Sequence, residues 1–403
     1  MEHFYHLIET EDTIDIGSVS IDAEQEPISF SVNKPMSFKG VLMLFTNDGK
    51  PVFEPNAYIM SRRIVEGIKD IKPTCFHMLR YYRYLQANHL SWNDQNEELQ
   101  RYPIFLYRAF LDGEIEKGNI KRSVAVTALS VVRRFYLFCY RHGYISDLPF
   151  AVTGTTKYGQ VITDCSIRSE SRETNLQPLN DLDLKHIRDN WRCNGLSLEF
   201  RLMISVALCS GLRSIELTHI KPKHFAIPKG FAGKTLTGIW IGPSHECKTK
   251  YDVDRQISMP IWLMKKINEY HQGERYLARK KLYFMNTGDV DAPAFINKDG
   301  DMFTTQSINT QWSKLRSAIQ ENSNPHFKHK EHDCRATFGA YKLESLANID
   351  GLTMMQALTM LKDEMGHKDL DTTLLYLKHY EGNPEKNLVP EITMNLLEDE
   401  TLS

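Results

Sequence analysis

The 403-residue sequence has no long apolar run: Val41 to Phe45 and Val206 to Cys209 fall far below the roughly 18 residues a membrane span needs, so no membrane partner is expected. It has no C-x-x-C pair. Its seven cysteines (Cys75, Cys139, Cys165, Cys193, Cys209, Cys247 and Cys334) are scattered and odd in number, which argues against a disulfide framework and for reduced thiols in a cytoplasmic setting. The opening MEHFYHLIETEDTID lacks the basic-then-apolar order of a secretory signal. Net charge is also nearly absent, at −2. Taken whole, that value argues against a nucleic-acid partner, but the charge is segregated. Residues 1–74 carry 7 Lys+Arg against 12 Asp+Glu, residues 75–150 carry 10 against 7, and the remainder balances at 32 against 32. The acidic excess sits at the front, leaving the rest able to present basic faces to phosphate. With 41% hydrophobic and 25% charged residues the composition is that of a folded protein, and the length suits two or three domains at about 100–200 residues each.

Residues 1–74 alternate like strands in TIDIGSVSI, PISFSV and SFKGVLMLF, with turn signals at Asn33-Lys34-Pro35 and Asp48-Gly49. They read as an acidic β-rich appendage suited to an accessory protein rather than to DNA. From residue 75 to 150 the period becomes helical. Thr74 is a candidate cap for a helix carrying Met78, Tyr81, Tyr82 and Leu85, and a second helix is expected over roughly Glu97 to Asp112. In a third, Val124, Ala128, Val131, Val132, Phe135, Phe138 and Cys139 share a face, and Gly143 stops it. Lys121, Arg122, Arg133 and Arg134 on this stretch are candidate phosphate contacts, although arginines there also suit a solvated helix face. Residues 151–176 lack periodicity and read as a linker, with Lys157, Arg168 and Arg172 able to lie along phosphate. Residues 177–383 form a long helical domain, with helices expected around 181–193, 198–210, 261–272, 307–320, 333–346, 353–364 and 370–380. Two strands, TLTGIWIG (235–242) and RQISMP (255–260), read as a hairpin, with KLYFMN (281–286) as a possible third. The expected class is mainly α with a small antiparallel β-sheet. The tail 384–403, with Ile392, Met394, Leu396 and Leu397, is too short to be a stable helix alone and needs a surface to dock on.

Four stretches place cations or hydroxyls at helix ends: CSGLRSIEL (209–217), KTK (248–250), HDCR (332–335) and GHKDLDTTLLY (366–376). Each has an ordinary explanation alone. Arg213 and Glu216 make a helix-end ion pair, Lys248 and Lys250 are solvated at a hairpin tip, and Tyr376 among leucines is a core aromatic. His326, His329 and His332 stand at H-x-x-H-x-x-H spacing, but structural zinc prefers tighter pairings with cysteine, so no metal is expected.

Their order and spacing, GLRxxEL…HxxR…GHxxxxTTxxY, is met at Gly211-Leu212-Arg213, Glu216-Leu217, His332, Arg335, Gly366-His367, Thr372-Thr373 and Tyr376, and over roughly residues 75–380 it resembles the tyrosine recombinase (phage integrase) family. The resemblance implies a helical core-binding domain, a linker and a catalytic domain acting on double-stranded DNA, as a homotetramer on two synapsed sites that exchanges a C-terminal element. Whether the tail is that element or folds back on its own domain is open. The resemblance makes Tyr376 the nucleophile, Arg213 and Arg335 the clamp on the scissile phosphate, and His332 and His367 further hydrogen-bonding groups. Glu216 is the supporting acid and Lys248 the proton donor to the leaving oxygen, with Lys250, two residues on and on the same side of a strand, as the alternative. Ala336 stands where the family often has histidine.

The chemistry explains the residue types. A phenol near pKa 10 is protonated at neutral pH and needs positive neighbours. Arginine offers phosphate a planar fork that never loses its charge, whereas a lysine pKa can move into the range of a general acid. The phosphotyrosyl ester stores the bond energy, so neither ATP, metal nor another cofactor is needed. The alternatives are a catalytically silent DNA-binding scaffold, a type IB topoisomerase, and, among recombinases, a dimer resolvase instead of a mobile-element integrase.

Overall fold

A computed structural model describes residues 4–9, 20–21, 28–29, 41–68, 70–94, 102–156, 159, 161–168, 176–192 and 195–380. The tail 384–403, the Asn33-Lys34-Pro35 turn, Lys157, Arg172 and Cys193 lie outside the described residues. The chain divides into two units, Met1–Glu173 and Thr174–Ser403.

The first unit runs β1 (Tyr5–Glu9), β2 (Ser20–Ile21), β3 (Ile28–Ser29), β4 (Leu42–Thr46), α1 (Phe53–Ile64), α2 (Lys72–Ala87), α3 (Pro103–Glu116), α4 (Arg122–Arg141), β5 (Val152–Thr155) and β6 (Val161–Thr163). The strands pair as antiparallel ribbons, β1 with β4, β2 with β3 and β5 with β6. Four features differ from the sequence expectation. The stretch read as β-rich contains α1, whose buried Pro55, Asn56, Tyr58 and Ile59 follow helical spacing. It also shares a core with the helices that follow: Leu44 and Tyr58 pack with Tyr82 and Phe135, and Asn56 holds Leu44 as a neighbouring strand would, accepting from its N–H at 2.7 Å and donating to its carbonyl at 2.9 Å. Within 151–176, read as linker, β5 and β6 form a hairpin. Finally, α2 begins at Lys72 with Pro73 in its first turn, where a missing N–H costs nothing, so Thr74 lies inside the helix and does not cap it.

α4 has the length and apolarity of a membrane span, yet its Ala125, Ala128, Val132, Phe135 and Cys139 are fully buried in this core. Val124, expected on that face, is 40% exposed, because the buried stripe runs through Ala125 and Leu129 instead.

The second unit runs α5 (Asp181–Asn190), α6 (Leu198–Ser210), α7 (Ser214–His219), β7 (Thr235–Ile241), β8 (Arg255–Pro260), α8 (Ile261–Gln272), α9 (Glu274–Thr287), α10 (Thr305–Asn322), α11 (His332–Ala347), α12 (Met354–Met365) and α13 (Leu370–Leu374). A single 3-10 turn, Leu375–His379, follows α13. The unit is mainly α with a two-stranded antiparallel sheet, in which Ile239 faces Ile257 and Ile241 faces Arg255. α6, capped by Ser197 and ended by left-handed Gly211, is buried along its length except at Arg201, as befits a central helix. The segment KLYFMN, considered as a third strand, is the last part of α9. Its buried residues, Tyr276 and Tyr283, stand seven apart, which is helical spacing, while Leu282, Phe284 and Met285 are exposed. A smaller apolar cluster joins α11 and α12 through Phe338, Leu358, Leu361 and Met365, and includes Tyr376.

Candidate active site

Five of the sequence-selected residues meet where the ends of α6 and α12, the start of α7 and the first turns of α11 converge. Arg213 lies in the break between α6 and α7. Its backbone N–H donates to Glu216 Oε2 at 2.8 Å, its Nη1 to Glu216 Oε1 at 3.2 Å, and its Nη2 to the Gly366 carbonyl at 3.1 Å. Arg335, one turn into α11 and 3% exposed, donates through its two Nη groups to the carbonyls of Gly211 and Met365. It therefore bridges the two helix ends that precede Arg213 and His367. Burial first, and Arg213 second, lower the Arg335 pKa, while Glu216 opposes them.

Gly366 ends α12 in the left-handed conformation (φ 61°), which turns the chain so that His367 faces the same pocket. The His367 Nδ1 lies 2.9 Å from Thr373 Oγ1, and its ring is nearly parallel to that of Tyr376, with centroids 6.1 Å apart. Burial, then the charges of Arg335, Arg213 and Arg255, push His367 down to about 3, so the imidazole is neutral at pH 7. His332 stands at the exposed rim. Desolvation and Arg335, with smaller contributions from Arg213 and Lys250, lower it as well, against the opposing charge of Asp333. The positive charge of the pocket is thus carried by arginine rather than by histidine.

Tyr376, in the 3-10 turn after α13, is 3% exposed. Its ring lies directly over Gly339 of α11, where a Cβ would collide with it. Burial raises the phenol pKa, and Arg335 and Arg213 act against that rise, so both guanidiniums lie within electrostatic reach of the hydroxyl.

Lys248 and Lys250 are exposed in the loop between β7 and β8, not on a strand, so they do not share a strand face. Tyr251 and Asp252, both at positive φ, bend the chain between Lys250 and β8. Lys250 Nζ stands 5.0 Å from the Tyr251 ring centroid. The charge of Lys250 is felt at His332, whereas that of Lys248 is felt at His219.

The four candidate DNA contacts of the first unit do not make one open face. Lys121 is exposed and precedes α4, and Arg122 Nη1 lies 3.5 Å from the Arg168 carbonyl. Arg133 donates to Thr163 Oγ1 at 3.1 Å beside β6, and Arg134 is half-buried. His329 sits between two carboxylates: its Nε2 lies 3.2 Å from Asp183 Oδ2 and its Nδ1 3.2 Å from Asp333 Oδ2. Burial works against protonation there, but these carboxylates override it and raise the pKa to about 9.

The sequence reading missed Arg255, Glu331 and Gly339. Arg255 and Glu331 are 6% and 4% exposed, and Glu331 Oε2 accepts from Ser214 Oγ at 2.6 Å, tying the start of α11 to that of α7. An arginine opening the RQISMP strand was the available signal, since a charge in a buried strand needs a partner.

This arrangement of helices and hairpin is the fold of the tyrosine recombinase catalytic domain. Among solved structures, the chain is similar to the XerH site-specific recombinase bound to difH substrate, with TM-score 0.51 and 15% identity over 81% of this chain and 82% of that one. It is also similar to the Tn1549 transposon integrase (residues 82–397) in complex with circular intermediate DNA, with TM-score 0.52 and 14% identity over 84% of this chain and 98% of that one. No protein-family model and no curated protein matches the chain. At these identities the likeness is one of fold.

Proposed function

We propose that this protein is a site-specific DNA recombinase that cuts and rejoins strands through a phosphotyrosyl intermediate. The observation that carries the reading is that Tyr376, Arg213, Arg335 and His367 of one chain share one pocket, at the positions their sequence spacing selected. In the proposed step the Tyr376 oxygen attacks phosphorus, a 3′-phosphotyrosyl ester forms, and the bond to the 5′ oxygen breaks as that oxygen takes a proton. A 5′-hydroxyl of the partner duplex then attacks the ester, restores the DNA linkage and returns the phenol. The arginines hold the non-bridging oxygens and stabilise the phosphorane. Neutral His332 and His367 serve as hydrogen-bonding groups, and a hairpin lysine donates the proton. Of the two lysines, Lys248 is the first candidate and Lys250, whose charge is felt at His332, the alternative.

The wider reading is an integrase of a mobile element, with no ATP, metal or other cofactor, working in the cytoplasm as a homotetramer on two synapsed double-stranded sites. Residues 75–150 and 177–383 would clamp DNA through the 151–176 linker, residues 384–403 would be the exchanged tail, and residues 1–74 would meet an accessory protein. The resemblance in fold to two DNA-bound proteins supports DNA as the substrate. The test is a nicked suicide duplex bearing the DNA that flanks the gene. Wild-type protein should accumulate a covalent adduct, and Tyr376→Phe should bind the same duplex and form none. An adduct with the Phe variant, or none with the wild type, overturns the reading.

A further inference from the structure

Glu216 is fully buried and is gripped from two sides. Arg213 reaches it with its backbone N–H and one Nη. Arg255, at the start of β8, takes it with both prongs, Nη1 to Oε1 at 2.8 Å and Nη2 to Oε2 at 2.6 Å. Parallel two-pronged contact is the strongest pairing a guanidinium makes with a carboxylate. The third edge of Arg255 donates from Nε to the Glu364 carbonyl at 2.9 Å, in the last turn of α12. Its stem is covered by Gly366, where a Cβ would stand 2.8 Å from Arg255 Cδ. One side chain therefore joins the Arg213–Glu216 corner, the helix end that presents His367, and the strand that follows the lysine loop.

Charge balance gives this joint a consequence. A buried carboxylate must be compensated, and with Arg255 absent the remaining cations are Arg213, already in contact with it at 3.2 Å, and Arg335, whose charge also reaches it but whose Nη groups are held by the Gly211 and Met365 carbonyls. Arg213 would then turn its fork onto Glu216. With Arg255 present, Glu216 takes one side-chain donor of Arg213 and the Gly366 carbonyl takes another, of the five that an arginine offers.

We propose that Arg255 is a positioning residue for phosphodiester cleavage: by occupying the Glu216 carboxylate with both prongs, it leaves the remaining side-chain donors of Arg213 to the phosphate. This rests on the recombinase reading, and two separate readouts test it. In the first, adduct formation on the nicked suicide duplex is timed at saturating DNA for wild type, Arg255→Met and Arg255→Met/Glu216→Gln. Arg255→Met is expected to slow cleavage about 100-fold with DNA affinity held within about 2-fold, and the second substitution should return at least about 10-fold by removing the stranded charge. Cleavage by Arg255→Met at the wild-type rate, or a further loss in the double variant, overturns the proposal. Arg255→Lys, which keeps the charge but offers no fork, should fall between wild type and Met, and it carries the test if Met does not fold.

The second readout needs no DNA. A crystal structure of Arg255→Met, or of Arg255→Lys, should show Arg213 swung into two-pronged contact with Glu216, and an unmoved Arg213 overturns the proposal. A wild-type chain that yields no adduct defeats the recombinase reading, and the Arg213 geometry then decides the Arg255 inference by itself.

Discussion

Among the described residues of the first unit the buried polar side chains are Asn56, Thr74 and Thr163, all uncharged, whereas the second unit buries Asp183, Glu199, Glu216, Arg255, Glu331, Arg335 and Glu344. The first unit satisfies its interior with phenols: the Tyr81 and Tyr136 hydroxyls meet at 2.7 Å, and Tyr136 also donates to the Trp92 carbonyl. Aromatic rings bring large apolar area and edge-to-face contacts such as Trp92 on Phe135 at 5.2 Å, with few groups that resist leaving water. The second unit takes the costlier course, since desolvating a charge costs several kcal/mol, and well-packed apolar residues of equal volume often stabilise as much or more. A chain that solves the packing problem with tyrosines in one half and with buried arginines in the other has a use for the arginines beyond packing.

The comparison breaks most visibly in rate. Arg213→Lys, which keeps the charge and loses the fork, should slow adduct formation about 100- to 1000-fold while leaving DNA binding nearly intact. Wild-type cleavage kinetics in that variant would make Arg213 a packing residue like those of the first unit. The next contrast is in stability. Glu216→Gln leaves Arg255 and Arg213 facing a neutral amide and should cost about 3–5 kcal/mol, whereas Tyr136→Phe should cost only about 1 kcal/mol. Chemical denaturation of the two variants measures both, and equal losses would erase the distinction.

The smallest expected effect is a pH dependence. The His329 pKa is raised to about 9 from an ordinary value near 6.5, so its ion pairs stabilise the fold fully below that ordinary value and are lost as pH rises through 9. Unfolding temperature should drop by about 2–4 °C between pH 6.5 and pH 9.5, and His329→Gln should remove most of that drop. A drop that persists in the Gln variant would place the titrating group elsewhere.

The sequence made some of this site legible and hid the rest for identifiable reasons. Arg213, Glu216, His332, Arg335, His367 and Tyr376 lie at helix ends and turns, where a charged or hydroxylated residue stands out against apolar periodicity. Their order supplied the long-range pairing that periodicity cannot. Arg255 and Glu331 stayed hidden because their partners, Glu216 and Ser214, are far away in the chain, so nothing local marks them as buried. α1 was missed because strand-like alternation earlier in residues 1–74 set the reading for the whole stretch, although the buried set Pro55, Tyr58 and Ile59 is helical. The segment of α9 at 281–286 reads as a strand because six mostly apolar residues are too few to fix a period until Tyr276 is counted with Tyr283. The lysine loop is the least legible part. Two lysines two residues apart imply a common side only on a strand, and Lys248 and Lys250 lie in the loop between β7 and β8.

The absence of a side chain at position 339 has its own consequence. The phenol rests on bare backbone of α11, so its place beside its own arginines depends on a space no wider than a methyl group. Adding one carbon there would evict the aromatic ring without altering a single charge or donor. It would convert a chain that stows this phenol internally into one whose phenol must find a home elsewhere.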